Sequence, residues 1–160
     1  MPNETFEFEN CKIIFRNFEG RQQKFNPPGK RNFCLVINPA DADELAAAGF
    51  NVKTTNPKRE DDVPENYIKV NVNYATSKNP PKIYMIAGRR KTLLTEQTVG
   101  ELDYADIKHI DLIISSYPWK QDDGSQGGLS AYVSKMYVEI VEDRFAEKYT
   151  FDDDEETPFL

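Results

Sequence analysis

Positively charged side chains lie next to aromatic side chains at many points along this sequence. Arg16 follows Phe15, Lys24 precedes Phe25, and several strand-like segments repeat the pattern. Single-stranded nucleic acid presents phosphates that attract cations and base faces that stack on exposed rings, each stacked base being worth about 1–3 kcal/mol. The pattern indicates a nucleic-acid-binding groove with these candidate residues: Arg16, Phe18, Lys24, Lys30, Arg31, Tyr67, Lys69, Arg89, Arg90, Lys91, Trp119, Lys135 and Tyr137.

The same mixture of residues has a plainer explanation. Aromatic residues fill the cores of β proteins, and lysines keep strand edges soluble. Four positions discriminate best between a binding groove and ordinary packing, because strand alternation predicts that their side chains point outward. They are Tyr67, Lys69, Lys135 and Tyr137.

The residues that enzymes use are scarce. The chain has one histidine, His109, and no serine-hydrolase, P-loop or dinucleotide-binding glycine motif. A zinc site needs about four closely spaced ligands, and the two cysteines have no such neighbours. The carboxylate pairs Asp61–Asp62 and Asp103/Asp106 could in principle bind a metal ion or act as an acid and a base, but they lie in loop-like, solvated segments. We therefore predict no catalytic residue, no metal and no cofactor.

Negative charge is concentrated at the end of the chain. The net charge is −7, and residues 142–160 hold eight acids against two bases, so residues 1–141 carry a net charge of only −1. Five consecutive acids cannot pack, which predicts a disordered acidic tail over residues 149–160 after one domain over residues 1–148. An apolar tip and its carboxylate would fit a partner's pocket. The candidate partner-binding residues are Asp152, Asp153, Asp154, Glu155, Glu156, Pro158, Phe159 and Leu160.

Short alternating segments dominate the body. One helix is predicted over residues 38–49, where acids follow Pro39 and Gly49 ends the helix, while residues 95–105 are compatible with a short helix or an irregular connection. The fold class is mainly β with one or two short helices, and a single antiparallel sheet of this size is predicted to curl into a barrel that removes its edges. The predicted strands are 12–18, 31–38, 67–74, 82–87, 108–119 and 129–142.

Location and redox state follow from what the sequence contains. No apolar run approaches the roughly 20 residues that cross a bilayer, and the first residues do not form a signal-peptide pattern. Cys11 and Cys34 lie in apolar, strand-like segments and are predicted to be reduced thiols. These observations predict a cytoplasmic protein that does not contact membranes.

The chain resembles the single-stranded DNA-binding proteins of the OB-fold type, particularly those of bacteriophages. The acidic end with Phe159 is similar to their C-terminal peptides, and so are segments 12–18, 31–33 and 128–133 of the body. In the bacterial proteins the phenylalanine carries the terminal carboxylate, whereas here Leu160 follows it. The resemblance implies an OB barrel, sequence-independent binding of ssDNA in the host bacterial cytoplasm, and recruitment of a replication or recombination protein (polymerase, helicase, nuclease or recombinase).

Three functions are therefore open at this point. The first is an ssDNA-binding protein acting in phage replication or recombination, as a monomer or homodimer, whose tail competes for the groove when DNA is absent. The second is an adaptor that binds only protein through the tail. The third is a nuclease that uses clustered carboxylates.

Overall fold

The computed structural model describes residues 4–24, 26–56, 61–74 and 79–141. Nine strands, one α-helix and one 3₁₀ helix follow one another over these ranges. The elements are β1 (Thr5–Phe8), β2 (Ile13–Asn17), β3 (Arg31–Ile37), α1 (Pro39–Ala48), β4 (Lys53–Thr54), β5 (Asn66–Val72), β6 (Lys82–Ala87), β7 (Arg90–Leu94), the 3₁₀ helix (Val99–Asp103), β8 (Ile107–Lys120) and β9 (Gln126–Ile140).

The strands form one mixed sheet in the order β1-β8-β9-β5-β3-β2. Strand β4 pairs with β5, and β6 lies between β7 and β9. Both β5 and β6 run parallel to β9, one after the other along the same side of it. The mainly β prediction is confirmed, but the sheet is not wholly antiparallel, and its pairings within the described ranges do not close into a ring.

Strand alternation sends one face of the sheet into the core. On β5, Ile68, Val70 and Val72 are buried, while Lys69 between them is exposed. The longest pair, β8 with β9, is antiparallel and contributes a second set of alternate buried residues to the same core, including Leu112 and Met136. A chain of this pattern must bury its apolar face, and this burial is the main stabilising contribution to the domain.

Helix α1 forms where the sequence predicts it. The side chain of Asn38 accepts a hydrogen bond from the Asp41 backbone N–H at 3.1 Å, and Pro39 occupies the first turn. Gly49 has a φ of 120°, a conformation that favours glycine, and ends the helix. Leu45 and the following Phe50 anchor α1 in the core. The undecided segment 95–105 contains the 3₁₀ helix.

Candidate nucleic-acid interface

The sheet has a second face that points away from the core, and we call it the outer face. On β9, Tyr137 and Lys135 alternate with the buried Val138 and Met136 and so lie on this face. The β6–β9 register places Tyr84 beside Tyr137 and Lys82 beside Lys135. Side chains from several strands therefore meet on one surface, although they are far apart in sequence.

Two tyrosines and two lysines form the tightest group on the outer face, which we call the tyrosine–lysine cluster. The rings of Tyr84 and Tyr137 stack with centroids 5.2 Å apart and an interplanar angle of 13°. Lys91 reaches across from β7, with its Nζ 4.5 Å from the Tyr84 centroid and 5.5 Å from that of Tyr137. Lys135 Nζ lies 5.7 Å from the Tyr137 centroid. The cluster combines flat rings with cations, as binding of a polynucleotide requires.

The β8–β9 hairpin carries a second group of rings, the hairpin aromatics Tyr117, Trp119 and Tyr132. Tyr117 and Tyr132 meet edge to face with centroids 5.1 Å apart. Trp119 is 48% exposed and packs on Gly127, where a Cβ would overlap its Cε3 and Cζ3 atoms. A glycine is therefore required beneath the indole. The hairpin exposes a large aromatic ring of a kind that usually contributes to a core or an interface.

Strand β5 extends the outer face beyond the hairpin aromatics. Asn71 of β5 is the register partner of Tyr132, and Lys69 and Tyr67 follow at alternate positions on the same face. Tyr67 contacts Phe15 of β2 edge to face, with centroids 5.6 Å apart. The outward orientation predicted for Tyr67, Lys69, Lys135 and Tyr137 is confirmed.

One predicted stacking residue is wrong. Phe18 is 0% exposed and stacks on Phe33 inside the core, with centroids 5.1 Å apart. A fully buried ring offers no face to a base. The error arises because the strand irregularity between Ile14 and Asn17 shifts the alternation on which the prediction depended.

Two predicted interface cations, Arg16 and Arg31, donate hydrogen bonds to the protein backbone. Arg16 donates hydrogen bonds to the carbonyl oxygens of Leu102 and Ala105 at 2.8 and 2.7 Å, which satisfies acceptors around the end of the 3₁₀ helix. The side chain of Arg31 is 17% exposed and donates to the carbonyl oxygens of Glu19 and Glu96. Because these guanidinium groups are engaged with the protein backbone, we remove Arg16 and Arg31 from the candidate interface.

Of the four remaining predicted cations, three lie in loops or turns and Arg90 begins β7. Lys24 and Lys30 are exposed between β2 and β3, and Arg89 and Arg90 are exposed at the β6–β7 turn. Gly88 adopts a φ of 61° in this turn, which brings Lys91 onto the edge strand beside the tyrosines.

Four rings of the outer face were absent from the predicted site: Phe15, Tyr84, Tyr117 and Tyr132. Simple alternation assigns Tyr132 and Tyr137 to opposite faces, because five positions separate them. A bulge at Ser134, where the β8–β9 register shifts, returns both to the outer face. Tyr84 and Tyr117 could have been found from alternation, since Tyr84 follows the buried Ile83 and Tyr117 continues the outward positions of β8 after the buried Leu112 and Ile114.

Asp103 and the histidine have structural contacts, whereas Asp61, Asp62 and Asp106 are exposed. Asp103 accepts hydrogen bonds from the backbone N–H groups of Phe18 and Glu19 at 2.8 and 3.0 Å, and its side chain is buried. His109 lies 3.0 Å from Asp111 on β8. Across the described ranges, no three His, Cys, Asp or Glu side chains are grouped so as to hold a metal ion.

Both cysteines are free thiols and partly buried. Burial raises the pKa of the Cys11 thiol to about 11, and burial likewise raises the pKa of Cys34. The neutral thiol is therefore favoured at both positions, as expected of structural cysteines.

The remaining predictions concern membrane spans and the acidic tail. In the part of the chain that the structure describes, no helix is both long and apolar enough to span a membrane. The domain boundary at residue 148 and all eight candidate tail residues, Asp152, Asp153, Asp154, Glu155, Glu156, Pro158, Phe159 and Leu160, lie outside the described residues.

The fold is shared with solved structures of a bacteriophage protein. The single-stranded DNA-binding protein from bacteriophage Enc34, in complex with ssDNA, aligns with a TM-score of 0.53 and 8% identity over 88% of this chain and 89% of that chain. The same protein in another structure gives 0.52 and 9% over 94% and 88%. Its C-terminal truncation gives 0.52 and 8% over 87% of each chain.

Sequence comparison gives the family. The sequence matches none of the curated proteins. The family model described as a putative phage ssDNA-binding domain matches residues 1–155, which is nearly the whole chain. The chain therefore belongs to the phage ssDNA-binding domain family.

Proposed function

We propose that this protein binds single-stranded DNA along the outer face of its sheet, with little base specificity. The observation that carries the proposal is the stacked pair Tyr84–Tyr137 beneath the ammonium group of Lys91. Every base has a flat face that stacks on such a ring, and every nucleotide has a phosphate that attracts a lysine. Stacking and charge together provide affinity without reading base edges.

The path of the strand follows the rings. The bound DNA runs from the tyrosine–lysine cluster to the hairpin aromatics and then to Tyr67 and Lys69 on β5. The passage from β9 to β5 lies at the register partners Tyr132 and Asn71. The exposed cations Lys24, Lys30, Arg89 and Arg90 supply phosphate contacts at its margins.

The biological role is protection of unpaired DNA during phage DNA replication or recombination in the host bacterial cytoplasm. The protein acts as a monomer or homodimer, coats ssDNA, and does no chemistry on it. The similarity in fold to the single-stranded DNA-binding protein from bacteriophage Enc34, which was solved in complex with ssDNA, supports the DNA-binding part of this role.

The acidic tail recruits a replication or recombination protein in this proposal. Segregation of net charge −6 into residues 142–160 supports competition between the tail and DNA for the cationic outer face. Removal of residues 150–160 should therefore strengthen ssDNA binding at low salt. Unchanged binding would contradict the competition.

A direct binding comparison tests the proposal. Fluorescence anisotropy with labelled oligo-dT, the matching duplex and the matching RNA should show preferred binding of ssDNA, and the affinity should fall steeply as salt is raised. Absence of any oligonucleotide binding, together with capture of a protein partner by the tail, would favour the adaptor. The charge and the Pro158-Phe159-Leu160 tip of the tail are what support that second candidate.

A further inference from the structure

Phe15 is held in a backbone conformation that large side chains rarely adopt. Its φ is 53°, in the left-handed region, and it lies where the register between β2 and β3 shifts. Such a conformation costs roughly 1–3 kcal/mol in a residue other than glycine and persists only when its surroundings impose it.

The strain at Phe15 does not serve core packing. The residue is 64% exposed, and its ring contacts Tyr67 by an edge, with centroids 5.6 Å apart and planes at 74°. A ring placed for stability would be buried, as Phe18 three residues later is. The bulge therefore presents an apolar ring to solvent.

Two cations lie near Tyr67, the residue that the exposed ring contacts. Lys53 of β4 is the register partner of Tyr67, and Lys69 lies two residues along the same face of β5. Both lysines are exposed, and within the described ranges no acid lies at ion-pair distance from either of them. This group repeats the composition of the tyrosine–lysine cluster with different residues on different strands.

We propose that Phe15, presented by the left-handed bulge and supported by Tyr67, is a base-stacking residue of a second ssDNA contact whose phosphates are held by Lys53 and Lys69. This inference rests on the proposed function. Tyr132 of β9 and Asn71 of β5 are register partners. Tyr137 lies five residues after Tyr132, and Tyr67 lies four residues before Asn71 on the parallel strand. The two contacts are therefore separated by about 30 Å along the β-strands. A long oligonucleotide reaches both contacts, and a short oligonucleotide does not.

Phe15→Gly is the most informative variant. Glycine tolerates a positive φ, so this change relieves strain while it removes the ring. We expect the melting temperature to stay the same or rise, and the affinity for an oligo-dT of about 16 nucleotides to fall by about five-fold to a hundred-fold. A ring that only stabilised the fold would lower the melting temperature instead. Phe15→Trp keeps a stacking surface and should restore binding.

Oligonucleotide length and matched variants complete the test. An oligo-dT of about 4 nucleotides should show a much smaller loss with Phe15→Gly, because it still binds the tyrosine–lysine cluster. Tyr104→Ala removes another exposed ring, which contacts Glu19, and should leave affinity unchanged. If the unaltered protein binds the long strand and Phe15→Gly binds it equally well, this inference fails and the proposed function stands. If the unaltered protein binds no ssDNA, both fail.

Discussion

Tyr84 and Tyr137 are brought together by a parallel strand pair, and their rings stack 5.2 Å apart at an angle of 13°. Direct register partners on a sheet have closely spaced Cβ atoms, so the two rings need little adjustment to stack. The Lys91 ammonium group then lies over both rings from the neighbouring strand β7. Rings that strand register holds in place have less conformational freedom to lose, which reduces the ordering cost of binding.

The two lysines of the cluster should contribute to salt dependence. Replacing both Lys91 and Lys135 by glutamine removes two phosphate contacts, and each contact to single-stranded DNA contributes about 0.7 to the slope of log affinity against log salt. The slope measured by anisotropy should therefore decrease by about 1.4 in magnitude. Lys12→Gln is the matched control, because the Lys12 ammonium group is already paired with Glu65 at 3.1 Å, and it should leave the slope unchanged. Equal slopes for all three proteins would remove these lysines from the interface.

Arg16 should matter for stability and not for DNA binding. Arg16→Ala removes two hydrogen bonds from a charged donor to backbone carbonyls, which should lower the free energy of unfolding by about 1.5–3 kcal/mol in urea denaturation. The exposed turn residue Arg89 is the control, because Arg89→Ala should change stability by less than about 0.5 kcal/mol. Lost affinity with full stability in Arg16→Ala would return this residue to the interface.

Gly127 should be needed for the position of Trp119. In Gly127→Ala the new Cβ overlaps the indole, so the ring must move, and overpacking of this kind costs roughly 1–3 kcal/mol. We expect an altered tryptophan emission spectrum and weaker quenching by oligo-dT. Ser130→Ala, on the same strand, should behave like the unaltered protein. An unchanged spectrum in Gly127→Ala would show that the indole does not rest on this glycine.

The buried thiol of Cys11 gives a prediction about pH. Its pKa is raised from 9.0 to about 11 because burial disfavours the thiolate, so the folded state holds a proton that the unfolded state releases first. This contribution to stability is present below about pH 9 and is lost as pH rises toward about pH 11. Urea denaturation across this window should show a smaller decline in Cys11→Ala than in the unaltered protein. Identical declines would contradict the assignment.

Local sequence patterns predicted the elements whose residues interact with near neighbours. Helix α1 follows from Asn38 and Gly49, and the faces of β5 follow from strict alternation. The parallel pairing of β9 with β5 and β6 was not predicted, because alternation is the same in parallel and antiparallel strands.

The candidate site was predicted where alternation is regular and missed where it is interrupted. Lys135 and Tyr137 lie as expected, whereas bulges in β2 and at Ser134 altered the faces of Phe18 and Tyr132. The composition pattern also could not distinguish an arginine that binds phosphate from Arg16, which caps backbone carbonyls. Those contacts join residues 86 and 89 positions apart, and no local pattern encodes them.

The most direct test removes the stacked rings themselves. Oligo-dT affinity should be measured by fluorescence anisotropy for the unaltered protein, for the double variant Tyr84→Leu with Tyr137→Leu, and for Tyr104→Leu as a control for loss of an exposed ring. Leucine keeps an apolar side chain on each strand but offers no flat face. We expect the affinity to fall at least about five-fold in the double variant, since each stacked base is worth about 1–3 kcal/mol, and to stay unchanged in the control. Equal affinity in all three folded proteins would contradict it.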